Sequence, residues 1–85
     1  MNRQEHIEWC KERARPFGKN YSAVAAWIAF RHDMNKRDET KDHPMFGLGD
    51  KMCAIVLNSP DSDVAKQILN SSHPLGLRSF IEGFN

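Results

Sequence analysis

Helix-forming signals start at residue 2 and run to residue 84, so an 85-residue chain has room for little beyond short helices and their connections. Asn2-Arg3-Gln4-Glu5 sets a side-chain acceptor three residues before a carboxylate, the pattern of a capping box. At the other end Leu77, Phe80, Ile81 and Phe84 share one helical stripe. No segment alternates apolar and polar residues long enough to predict a strand. The expected fold is all-α: one domain over residues 1–85, a compact bundle of four to five short helices with no separate tail.

The helices can be placed by periodicity and punctuation. The first is predicted over residues 3–15, with Ile7, Cys10, Ala14 and Phe17 facing the core and Pro16 and Gly18 ending it. Its acids come early and its bases late, which suits the helix dipole. Asn20 or Ser22 caps a second helix reaching about residue 36. That helix has two apolar stripes, Tyr21-Val24-Ala25-Ile28 and Ala23-Trp27-Phe30-Met34, which predicts packing on two sides. Residues 35–42 are wholly polar and read as the one clear linker. A third helix starts at Pro44 or after Gly49, and its glycines either weaken it or admit a close crossing. Ser59-Pro60-Asp61-Ser62-Asp63 reads as the start of a fourth helix, which ends near Leu69. A short fifth helix carries the C-terminal stripe. No internal repeat or low-complexity segment interrupts the pattern.

Composition removes several functions. The longest unbroken apolar runs, residues 23–30 and 52–57, fall far short of the roughly 18 residues that a membrane span needs. Polar residues after Met1 give no signal-peptide pattern, so the expected location is the cytoplasm, with Cys10 and Cys53 reduced. Net charge is +1, with the first 41 residues at +3 and the remainder at −2. That asymmetry is too weak for a nucleic-acid footprint.

Chemistry-bearing residues are sparse. His6 and Cys10 are four apart on one helix face, and His32, His43, Cys53 and His73 are further metal-ligand types. The close Cys pairs that mark a zinc site are missing, so no metal and no cofactor are expected. Cys53 sits in an apolar run that predicts a buried, inert thiol. No nucleophile elbow or phosphate-binding loop is present, and the chain is not expected to be an enzyme. Arg13, Arg15, Lys19, Arg31 and Lys36 form a basic N-terminal half that offers nucleic acid as the alternative partner, though acids are interleaved with them. Trp9 lies off the main stripe of the first helix, and Arg13 follows four residues on, placed to stack on the indole. Trp and Arg dominate interface hot spots, so Trp9, Arg13 and Arg31 are the candidate partner-binding residues.

The opening MNRQEHIEWCKERA and the closing FIEGFN resemble a family of small bacteriophage proteins widespread in phages of actinobacteria. Asp42-His43-Pro44 and Gly47-Leu48-Gly49 are similar to the same pattern, while residues 16–41 and 65–74 depart from it. The resemblance implies a phage gene product acting in the bacterial host cytoplasm, and it brings no activity, cofactor or site residue with it. The expected function is a small accessory protein that binds a host or phage protein, with self-association as a further expectation. Nucleic acid is the alternative, and no membrane partner is expected.

Overall fold

These signals produce five helices: α1 (Arg3–Asn20), α2 (Ala23–Met34), α3 (Phe46–Asn58), α4 (Asp63–Leu69) and α5 (Leu77–Glu82). They are seen in a computed structural model that describes residues 2–85, and no strand occurs among the described residues. The capping box forms as expected. Glu5 N donates to Asn2 Oδ1 at 2.8 Å, and Asn2 N donates to Glu5 Oε1 at 3.2 Å.

The first helix does not stop at Pro16; α1 carries that proline inside it and ends five residues later than residue 15. Proline removes one N–H and crowds the carbonyl four residues back, at a cost near 3 kcal/mol. Packing against α2 and α5 offsets this, because Ala14 before the proline and Gly18 after it both lie on the inner row. The stop comes at Tyr21, where Tyr21 N and Ser22 N both donate to Phe17 O. The inner row is Ile7, Cys10, Ala14 and Gly18, so Phe17 sits one position, about 100°, off it. Phe17 was expected in the core and is instead 42 % exposed.

Ser22 caps α2, its Oγ accepting from Ala25 N at 3.1 Å. The stripe Ala23-Trp27-Phe30-Met34 is buried with Ala26. The second stripe is not: Tyr21 and Ile28 are 78 % and 63 % exposed, and Val24 and Ala25 are half-buried. Packing on two sides, expected from the pattern, is therefore realised on one side only.

Trp27 organises the core. Its ring stands 5.8–6.1 Å from those of Phe30, Phe46, Phe80 and Phe84. Its indole N–H donates to Asp50 Oδ1 at 3.0 Å, so the one polar atom of the ring is satisfied. Gly49 lies flat against the ring, and a Cβ there would overlap the indole. The close-crossing reading of Gly49 is thus correct, while Gly47 faces open space. The linker is tied down rather than free: Thr40 is buried, and its hydroxyl donates to Met34 O at 2.6 Å, capping the end of α2. α3 starts at Phe46, between the two predicted starts. α4 starts at Asp63 with Ser62 as its cap, because residues 59–62 form a turn closed by Ser62 N on Ser59 O.

α5 closes the bundle by joining the chain ends. Lys11 Nζ donates to Glu82 O at 2.7 Å, Arg3 Nη2 donates to Asn85 O at 3.0 Å, and Arg15 forms a two-pronged pair with Glu82. Phe84 is buried on Phe30, with ring centroids 4.9 Å apart.

Candidate protein-binding face

α1 projects the row Trp9, Arg13, Phe17 outward, each residue one turn after the last. Trp9 is half-buried at the edge of the core. Arg13 lies over its indole at 4.7 Å, the stacking expected from the four-residue spacing. His6 stacks on the same ring system at 5.7 Å, and Lys36 Nζ stands 6.0 Å from its centroid.

Asp33, buried on α2, fixes this edge. Arg13 Nε donates to Asp33 Oδ2 at 2.9 Å, and Lys36 Nζ lies 3.0 Å from Oδ1. Burial pushes the Asp33 carboxyl up, but hydrogen bonds and charge from Lys36 and Arg13 outweigh it and hold the group below its ordinary value. The carboxylate thus orients both cations that flank the indole.

Beyond Arg13 the row opens onto a groove of about 420 Å³ between α1 and α2, lined by Arg13, Phe17, Ala25, Ile28, His32 and Asp33 among others. Tyr21 extends the patch, its ring 6.2 Å from that of Phe17. Trp9 and Arg13 are therefore brought together. Arg31 is not brought to them: it pairs with Asp50 and lies over Phe46 at 5.1 Å, seating α3 against α2. Phe17, Tyr21 and Ile28 were missed as surface residues. The second apolar stripe of α2 was the signal available for two of them.

The polar candidates resolve into structure. His6 Nε2 is 3.1 Å from Asp33 O and 3.6 Å from Cys10 Sγ. A carbonyl only accepts, so Nε2 carries the proton and has no lone pair to take one from the thiol. Cys10 is fully buried, and burial pushes its thiol up to about 11, with the Asp33 charge adding to the effect. Cys53 is likewise pushed up to about 11 by burial. Neither is poised as a nucleophile. Among the described residues no group of three or more His, Cys, Asp or Glu side chains could hold a metal. His43 instead bonds Asn85 O, and His73 Nδ1 accepts from Leu75 N.

Most of the basic residues proposed for nucleic acid are neutralised locally. Arg13 and Lys36 pair with Asp33, Arg15 with Glu82, and Arg31 with Asp50, leaving Lys19 outside any ion pair among the described residues. No helix of the described chain is long and apolar enough to cross a membrane. Comparison with protein-family models, curated proteins and solved structures finds no match.

Proposed function

We propose that this chain is a small bacteriophage accessory protein that binds a host or phage protein in the bacterial cytoplasm, using the outer face of α1 and α2. The observation that carries this reading is the open row Trp9-Arg13-Phe17 beside Ile28, around the groove. Apolar surface of this kind marks interaction sites on soluble domains. Trp, Tyr and Arg are also the residue types that dominate binding energy. The phage assignment rests on the likeness of the two chain ends to phage proteins.

The test is a tagged pull-down from host lysate with a nuclease-treated control, followed by titration of the captured protein, once purified, against two variants. Ile28→Glu changes an exposed residue, and Trp9→Ala removes the indole under Arg13. One captured protein should survive nuclease, and each variant should weaken its binding at least about tenfold with helicity retained. Capture lost with nuclease would favour the alternative, a nucleic-acid-binding accessory protein using Arg13, Arg15, Lys19, Arg31 and Lys36. Local pairing of four of those five cations weighs against it, because each would have to give up a carboxylate partner before it neutralised a phosphate.

A further inference from the structure

Away from the α1–α2 groove, α3 is apolar over two adjoining faces. One face, Phe46, Gly49, Cys53 and Val56, is buried against the Trp27 core. The stripe Leu48-Met52-Ile55 lies about a third of a turn further round the helix and lines a hollow of about 320 Å³ together with Val64 and Ile68 of α4. Leu75 stands at its edge, 66 % exposed, and Phe80 lies at its base. A wide apolar stripe on a helix is one that packs against something.

We infer that this face is where two copies of the chain pair about a two-fold axis, and three observations select a second copy as the occupant. The first is shape. A two-fold contact must complement itself, and this face holds a protruding leucine directly beside a hollow large enough to receive one. The second is charge. No charged side chain lines the hollow, so no like charges meet across the axis. The exposed charges on α3, on α4 and just before α4 are Lys51 and Lys66 against Asp61 and Asp63, balanced in sign and in no ion pair within the described chain. The third is area. Leu48, Ile55, Val64 and Leu75 are 39–66 % exposed. Together they offer about 400 Å² of apolar surface, close to the apolar share of one side of a standard interface of about 800 Å² per partner.

The pairing face is separate from the α1–α2 face, so a dimer would present two copies of the partner-binding row. Sedimentation equilibrium over about 1–200 µM tests the inference on the full chain. The wild type should approach twice its 9.8 kDa mass with rising concentration. Val64→Glu and, independently, Leu75→Ser should each raise the dimer dissociation constant about tenfold or more with circular dichroism unchanged. Ile28→Glu, on the α1–α2 face, should leave the dimer intact. A wild type that stays at monomer mass throughout overturns the inference. So does a helical Leu75→Ser variant that dimerises as the wild type does, or dimerisation lost with Ile28→Glu alone. Because the pull-down reads Trp9 and Ile28 while sedimentation reads Val64 and Leu75, either proposal can fail without the other.

Discussion

Cys10 and Asp33 show how one buried edge sets the behaviour of single groups. Both thiols are held protonated well above neutral pH, so Cys10 and Cys53 should resist a disulfide reagent at pH 8 in the native protein and both react in denaturant. Fast labelling of either native thiol would contradict their burial. Asp33 and Glu82 behave in the opposite sense. Their folded pKa values lie below the ordinary 3.8 and 4.5, Asp33 through the hydrogen bonds that outweigh its burial and Glu82 through its hydrogen bonds from Arg15. A carboxyl depressed in the folded state adds stability that is present above its ordinary value and is lost as pH falls through the folded value. Thermal midpoints should therefore be flat between about pH 7 and 5 and fall below about pH 4. Asp33→Asn should flatten that acid slope while lowering stability at neutral pH by about 1–3 kcal/mol, since one of the two cations loses its acceptor oxygen and both lose the carboxylate charge. An unchanged slope in the variant would remove Asp33 from the account. At this scale the sequence was informative about which residues are reactive types, but not about their environment. His6 and Cys10 were visible as neighbours, whereas the Asp33 carbonyl that occupies the imidazole comes from 27 residues away.

Elements obey local rules until packing overrides them. Capping was legible in Asn2 and Ser22 because it needs only neighbours within one turn. Pro16 was misleading because an isolated helix would end there, and tertiary contacts on both sides keep it going. Pro16→Ala should restore the missing N–H and raise stability by about 1–2 kcal/mol, part of the gain being returned to a freer unfolded chain. A lower melting temperature would show that the proline sets the path of α1. The two glycines of α3 make a sharper comparison. Gly47→Ala should stabilise by up to about 1 kcal/mol through helix propensity alone. Gly49→Ala gains the same propensity but drives a methyl into the Trp27 ring, for a net loss of about 1–3 kcal/mol. Equal effects at the two positions would refute the contact between α3 and Trp27. Both residues looked alike in the sequence, since only the crossing of α2 and α3 distinguishes them.

For the whole molecule, closure depends on the last few residues. Phe84 packs on Phe30, Phe80 and His43, and Lys11, Arg3 and Arg15 hold the backbone and side chains around it. Phe84→Ala should cost about 3–5 kcal/mol, a large share of the total stability of a domain of this size. A two-state melt shifted by only a few degrees would mean that α5 docks without it. The two ends of the described chain, residues 2–14 and 80–85, are brought together here, with the Lys11–Glu82 bond linking one to the other. The all-helical class and the burial of Leu77, Ile81 and Phe84 were decided by the sequence itself. Apolar period and capping chemistry act over a few residues, and solvent enforces them wherever the helix ends up. Which of two apolar stripes is covered was decided only in the tertiary structure. The stripe of Trp27 is buried because α3 and α5 reach it, and that of Ile28 stays open because no element among the described residues packs over it. The candidate binding face exists for that reason: a periodic pattern shows that a face wants cover, and only the count and placement of neighbours shows which face goes without.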